Sequence, residues 1–289
     1  MPRSSSALAR FGFYALIVLA VLLLLAGALA VKLRMDGLLR EAVYEIDPPG
    51  LPTDLKRPAL LGFSKTNGFI HKEAIPAAQA LYQQLGESNG WSVYLTENAA
   101  VHNPEALARF DAVVWNNVTG DVLTPEQRSA LQGYVENGGG FVAIHGAGGD
   151  PSYAWGWYPQ SLIRAQFTAH PMFPQFQEAT LQVQNPQDPI VSHLPESFTM
   201  IDEWYSFQQP PKDVEVLLKL DESTYSPKIL FHDISMGKDH PIAWKHCQGK
   251  GRVFYGAPGH LASTYTDPRY ARVLEQATRW AMQPDPACQ

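Results

Sequence analysis

The sequence predicts an α/β domain whose parallel sheet is covered by helices on both faces, preceded by one transmembrane helix. Three observations predict it. Short, continuously apolar runs alternate with helical patterns from Pro58 onward, turns rich in glycine and polar residues follow those runs, and no charged residue interrupts Phe11 to Val31. A strand buried on both faces reads as an unbroken apolar run, and parallel neighbours need a crossover that buries its own helix.

Residues 1–10 form a short leading segment and residues 11–31 the anchor. At 1.5 Å per residue the anchor reaches about 31 Å, close to the roughly 30 Å hydrocarbon thickness of a bilayer. Ala28-Leu29-Ala30 has the small-x-small form of a signal-peptidase site, so a cleaved leader is the competing reading. The apolar run is longer than a signal core, and Lys32 and Arg34 follow it directly, which favours retention. Basic residues flank both ends, so the short leader places the N-terminus inside and the domain outside, making the chain a single-pass membrane protein with an extracytoplasmic domain. Residues 32–57 mix charges with Pro48, Pro49, Gly50 and Pro52 and read as a linker.

The domain is expected over 58–284, with 285–289 as a tail. Pro58 to Phe63 reads as a strand, Ile75 to Leu85 as a helix with Pro76 in its first turn, and Trp91 to Leu95 as a strand. Asn103-Pro104 caps a short helix through Phe110, and Ala112 to Trp115 is the third strand. Thr124-Pro125-Glu126-Gln127 is a capping box for a helix to about Glu136, ended by Gly138-Gly139-Gly140 before the strand Phe141 to Ile144. Beyond Asp150 the order is less regular. Strands are expected at Ala179 to Val183, Val214 to Leu220, Ile242 to Lys245 and Val253 to Tyr255, then a closing helix from Pro268 to about Met282 capped by Asp267.

A net charge of −6 with no long lysine or arginine run lacks the basic field that nucleic acid requires. Neither Gly-x-Gly-x-x-Gly nor a phosphate-binding loop occurs, so no cofactor can be named. Cys247 and Cys288 permit at most one disulfide, and two free thiols are the alternative.

Ligands of open α/β sheets bind beyond the carboxyl ends of the strands. Polar and glycine-rich residues concentrate there: Ser64 to His71, Asn116 to Asp121, His145 to Asp150 and Ala257 to His260. Any one of these is an ordinary turn, but four loops at one edge make a pocket. Phe141-Val142-Ala143-Ile144-His145-Gly146-Ala147 sits where a nucleophile elbow falls, yet the elbow residue is His145, neither Ser nor Cys, which argues against acyl-enzyme chemistry.

The run Phe63 to His71, the Thr119-Gly120-Asp121 turn, Gly138 to Gly146, Trp155-Gly156-Trp157-Tyr158, Phe167 to Pro171, Asp202 to Phe207, His240-Pro241-Ile242-Ala243-Trp244 and Gly251 to His260 together resemble the ThuA-like, or trehalose-utilisation, family. The resemblance implies a class I glutamine amidotransferase-like fold, a flavodoxin-like doubly wound parallel sheet, and a role with trehalose or related sugars. Amidotransferases of that fold carry Cys at the elbow, so glutaminase activity is not carried over.

Imidazole suits proton transfer near neutral pH and metal ligation. The expected catalytic residues are His145 and His260 at strand ends, then His71, with Glu203 as the carboxylate whose aromatic neighbours should raise its pKa by desolvation. Asn116, Thr119, Trp155, Trp157, Tyr158, His170 and His240 are expected to bind substrate, the aromatics as a platform that also includes Tyr153. His170 and His240 each precede proline, so turn shaping competes. No His-x-x-x-His spacing signals a metal, and ligands gathered from distant loops cannot be read from sequence. Three readings follow: a membrane-anchored enzyme using His and Glu on a trehalose-related or oxidised sugar, a non-catalytic sugar-binding or scaffold domain, and a metal-dependent hydrolase.

Overall fold

The computed structural model describes residues 5–150, 154–283 and 288. Ser5–Met35 is one helix, α1, and its stretch from Ala9 to Met35 is long and apolar enough to cross a membrane, with its most apolar window unburied by the domain. Residues 36–57 carry turns but no helix or strand.

The domain begins with β1 (Ala59–Phe63), α2 (Ala74–Asn89), β2 (Ser92–Thr96), α3 (Pro104–Leu107), β3 (Ala112–Asn116), α4 (Pro125–Glu136) and β4 (Gly140–Ile144). Every residue of β1, β3 and β4 is buried, as unbroken apolar runs between two helical layers require. Thr124 and Gln127 make both bonds of the capping box, and Asn103 caps α3 through Ala106 N–H.

The chain continues as β5 (Phe167–Ala169), β6 (Phe176–Val183), β7 (Ser197–Glu203), β8 (Ser206–Phe207), β9 (Glu215–Asp221), β10 (Lys228–Ile229), β11 (His232–Asp233), β12 (Pro241–Gln248), β13 (Gly251–Gly256), α5 (Ala262–Thr266) and α6 (Pro268–Met282). Asp267 caps α6, whose buried residues Tyr270, Val273, Leu274, Ala277, Thr278 and Ala281 recur at helical spacing. Helices α2, α5 and α6 pack together on one face, and α3 and α4 pack together on the other.

The main sheet runs β2-β1-β3-β4-β13-β12-β9-β6-β7. Its first five strands are mutually parallel in the flavodoxin-like order expected. Each of the four later pairings is antiparallel, so the sequence-level irregularity beyond Asp150 is a second, antiparallel half. Four reversals restore direction, and β7 therefore points the same way as β13. In a flat sheet these two strands would lie about 19 Å apart. Yet Gly259 N–H, just past β13, donates to Asp202 Oδ2 of β7 at 2.7 Å, so the antiparallel half curls back over the strand ends. Cys247 in β12 and Cys288 are joined by a disulfide.

Candidate functional site

The parallel strands deliver their loops to one edge, and the curled β7 closes over them. His71 ends the loop after β1, and its carbonyl accepts from Ile75 N–H at 3.0 Å as α2 begins. His145 follows β4 directly with φ of 47°, a left-handed conformation that a non-glycine residue rarely adopts and that turns the chain sharply beneath the site. His260 follows β13, and its N–H donates to Asp202 Oδ1 at 3.0 Å. Glu203 is the last residue of β7.

One nitrogen or oxygen from each of His71, His145, Glu203 and His260 lies within 4.8 Å of the others. Three of these atoms form a near-equilateral triangle: His260 Nδ1 to Glu203 Oε2 is 3.1 Å, His145 Nε2 to His260 Nδ1 is 3.3 Å, and His145 Nε2 to Glu203 Oε2 is 3.4 Å. Ligands about 2.0–2.1 Å from a tetrahedral metal stand about 3.3–3.4 Å apart, so the triangle has the size of one face of such a site.

The protonation pattern agrees. A carbonyl only accepts, so the 2.6 Å contact of His145 Nδ1 with Ala257 O puts a proton on Nδ1, and in the neutral ring that a cation would require the Nε2 lone pair faces the triangle and the Tyr205 hydroxyl; in the metal-free centre a proton on Nε2 lets the same nitrogen donate to Glu203. His71 is 5% exposed, and its Nδ1 is buried with no hydrogen-bond partner. Burial, and then the neighbouring His145 and His260, hold its pKa well below the usual histidine value, so the ring is neutral at pH 7. The close approach depends on Gly146, where a Cβ would meet His71 Cε1 at 2.8 Å.

Glu203 corrects the sequence expectation. Burial does push its carboxyl up, but hydrogen bonds and charge from His145 and His260 outweigh that and hold it well below the ordinary range. Its other oxygen, Oε1, accepts from the Gln175 amide and lies 3.2 Å from His170 Nδ1. Tyr205, whose hydroxyl is 3.0 Å from His145 Nε2, stacks on that imidazole with centroids 4.3 Å apart.

A cleft of about 830 Å³ opens above this centre, lined by His71, Glu203, His260, Thr119, His170 and Tyr205 together with apolar residues such as Phe69 and Phe167. Thr119 and His170 of the expected binding set thus join the catalytic set. The other members sit elsewhere. Asn116 is buried, donating to Ile75 O and accepting from Asn117 within the fold. Tyr158 is core: it stacks on Trp115 and donates to Ala147 O at 2.6 Å. Trp155 and Trp157 stack on one another at 4.9 Å, and Trp155 lines a separate small cavity with Tyr158. Tyr153 lies outside the described residues. His240 is buried beneath the site, Nδ1 2.7 Å from Glu222 Oε1 and Nε2 2.8 Å from Tyr205 O, where it supports the Tyr205 backbone.

The family model described as ThuA, trehalose utilisation, matches residues 59–281. The chain belongs to this family. A ThuA-like protein from Bacteroides uniformis superposes on the chain with a TM-score of 0.69 at 26% identity, covering 83% of this chain and 98% of that one. A second, from Parabacteroides merdae, gives 0.61 at 16% identity over 79% and 91%. No curated protein matches the chain.

Three features of the ThuA site escaped the sequence reading. Asp202 accepts from the N–H groups of Glu203, Gly259 and His260 and from Thr264 Oγ1, pinning two loops together. Tyr205 and Gln175 reach the centre only because β7 and β6 curl over it. And Lys32, Leu33, Asp36 and Leu38, from the end of α1 and just beyond, line the cleft. The Asp202-to-Phe207 motif carried a signal for Asp202 and Tyr205 but not for Gln175. No pattern in the sequence carried one for the third.

Proposed function

We propose that this ThuA domain is a divalent-metal-dependent enzyme acting on a sugar, displayed on the outer side of a membrane by α1. The observation that carries the metal is the triangle of His145 Nε2, His260 Nδ1 and Glu203 Oε2 with edges of 3.1–3.4 Å, beside the buried His71, whose Nδ1 has no hydrogen-bond partner. Two or three imidazoles with one carboxylate suit zinc, iron, cobalt, nickel or manganese. His145 donating its remote N–H to a backbone carbonyl is the support that metal-bound imidazoles have.

Such a cation would polarise a sugar hydroxyl or carbonyl oxygen presented from the cleft. The chain's own residues supply the rest. Glu203 and the histidines hold the charge, and the curled β7 excludes water from their far side. His170, partly exposed in the cleft and anchored on Glu203 Oε1, is placed to exchange a proton with the substrate. The family's description points to trehalose-related or oxidised sugars, and His145 in place of Cys leaves no thioester route. The Cys247–Cys288 disulfide supports an oxidising, extracytoplasmic setting for the domain.

A metal-free reading rests on one contact, His260 Nδ1 to Glu203 Oε2 at 3.1 Å, which would make His260 a base oriented by a carboxylate. Metal content separates the two. Full-length protein purified in detergent without chelators is expected to carry close to one equivalent of a divalent transition metal, reduced in Glu203→Gln. Metal-free protein that turns over a keto- or disaccharide as well as metal-supplemented protein does would overturn the metal role.

A further inference from the structure

We propose that the cleft opens onto the membrane surface and that its substrate is an amphiphile, a sugar headgroup on an apolar tail that remains in the bilayer. The proposal rests on the reading of α1 as a membrane span and of the cleft as a sugar site.

The helix does not end in a free tether. Asp36 O accepts from Ile70 N–H at 2.9 Å, and the Arg40 guanidinium donates to Thr66 O at 2.8 Å and Gly68 O at 3.1 Å. Gly37, with φ of 90°, packs so closely that a Cβ would stand 2.4 Å from Gly68 O. All these partners lie on the loop that ends in His71. Farther along, Val43 and Asn67 exchange two hydrogen bonds of 3.0–3.1 Å, and Glu45 pairs with buried Lys65 at 2.5 Å. The chain from the end of α1 to Glu45 is therefore fastened to the wall of the site. From Val31 to Asp36 is about 7.5 Å of helix rise, roughly the depth of one headgroup layer. A cleft lined by Lys32, Leu33, Asp36 and Leu38 then lies at the headgroups.

A second wall supplies an independent observation. Met172 and Ile229 line the same cleft and are joined by a β-bridge. Their chain neighbours are large, apolar and in solvent: Phe173 is 76% exposed, Leu230 65%, and Phe231, at the tip of the β10–β11 hairpin, fully exposed. Phe173 and Leu230 both have positive φ, 63° and 53°, positions where bulky apolar residues are uncommon; at Leu230 the tight β10–β11 hairpin requires that φ, and an apolar side chain stands where a glycine or asparagine is usual. Apolar tips beside a membrane span gain by entering the interface. The cleft has the matching polarity: imidazoles and Glu203, with Phe69 and Phe167 packed against His71 and Tyr205, and the aliphatic Leu33, Met172 and Ile229 on the walls that continue into α1 and the exposed tips. A free sugar stacks on aromatic faces but gains little from aliphatic walls such as Leu33, Met172 and Ile229, whereas the first methylenes of a lipid tail gain from them.

The test uses full-length protein in vesicles of phosphatidylcholine and phosphatidylglycerol, with an environment-sensitive fluorophore on a single added cysteine and nitroxide-labelled lipid as quencher. Phe231→Cys should be quenched at least about twofold, and Asn137→Cys, at the opposite end of the strands, should not be. Leu22→Cys, within α1, separates the causes of failure. If the label at 22 is quenched and that at 231 is as unquenched as that at 137, the membrane-facing cleft is refuted while the anchor stands. If the label at 22 is also unquenched, both fall. The substrate arm compares glucosyl-diacylglycerol in those vesicles with water-soluble methyl glucoside. Binding should favour the lipid-borne sugar at least about tenfold, and a double Leu230→Ser, Phe231→Ser variant should lose that preference while keeping its affinity for the soluble sugar. Equal binding of the two sugars by the parent protein would overturn the substrate class. A preference for the lipid that survives the double variant would overturn the role of the hairpin tip.

Discussion

Asp202 Oδ2 accepts from Gly259 N–H at 2.7 Å, across what would be four strand spacings of a flat sheet. This bond, with those from His260 N–H at 3.0 Å and Thr264 Oγ1 at 2.6 Å, clamps the loop carrying His260 to the strand carrying Glu203. Asp202→Asn keeps the shape but offers one acceptor oxygen and turns an amide N–H₂ toward donors. A cost of about 2–3 kcal/mol follows from lost charge-assisted hydrogen bonds. Denaturant unfolding measures it. Metal retention should fall in parallel, because His260 and Glu203 lose their common support.

Gly146 sets how closely His71 can approach, with Thr119 its other near neighbour. Its substitution by Ala would set a Cβ 2.8 Å from His71 Cε1 and 3.1 Å from Nδ1, so the imidazole must retreat. Overpacking costs of this kind run to about 1–3 kcal/mol. If His71 completes the metal site, chelator competition should report at least about tenfold weaker metal binding in Gly146→Ala. A variant that melts lower yet holds metal as tightly as the parent would remove His71 from the ligand set.

The parallel half of the sheet was legible because each of its elements carries a local signal. Continuous runs such as Ala59–Phe63 mark doubly buried strands, and Thr124 with Gln127, or Asp267 before Pro268, mark helix starts. The same signals fixed the sheet edge where His71, His145 and His260 had to emerge. β7 was missed because it lies at the sheet edge with burial alternating along Ser197–Glu203, a half-apolar pattern that irregular chain also shows. The environment of Glu203 was misread for a related reason: aromatic neighbours announce desolvation, while the histidines that outweigh it lie 58 and 57 residues away. Asn116, Tyr158 and His240 share the composition of binding residues, but their polar atoms are satisfied inside the fold by partners such as Ile75 O, Ala147 O and Glu222.

His102 gives the domain a pH dependence independent of the metal. It is fully buried between two partners: the 3.1 Å contact with Ala99 O places its proton on Nδ1, and Nε2 accepts from Trp115 Nε1–H at 3.1 Å. Burial lowers its pKa from 6.5 to about 4. Below pH 6.5 the unfolded chain binds a proton that the folded chain refuses, so stability is full above that pH and drains away as pH falls toward 4, by about 3 kcal/mol in all. Urea midpoints across that window should fall with acidification. His102→Gln, though less stable at pH 8, should show a shallower slope, and an unchanged slope would assign the acid lability to other groups such as His246, whose pKa burial lowers to about 3.

The disulfide ties the end of β12 to the C-terminal residues over a sequence separation of 41. Closing a loop of that length removes unfolded-state freedom equivalent to about 4 kcal/mol in the chain-entropy account, with measured cases more often about 2–4. A Cys247→Ser, Cys288→Ser double variant should therefore melt several degrees lower. Its metal content should be unchanged, since neither cysteine approaches the histidine centre.

Chelation tests the metal reading through stability rather than turnover. A ligand that binds only the folded state stabilises it by RT ln(1 + [L]/Kd), about 4 kcal/mol at a thousandfold excess over Kd. Removing the cation should lower the melting temperature of the full-length protein, and adding it back should restore it. Glu203→Gln isolates the cause. Without the carboxylate the centre is three imidazoles around a neutral amide, a weaker set that has lost its one negative charge, so bound metal and chelator response should both be reduced. Burial disfavours the charged carboxyl and the histidine bonds favour it, with the second effect larger, so the apo form of the variant loses those bonds as well as the charge. The decisive quantity is then the chelator-induced shift and not the starting melting temperature: a shift of equal size in Glu203→Gln and parent would place the bound cation somewhere other than this centre.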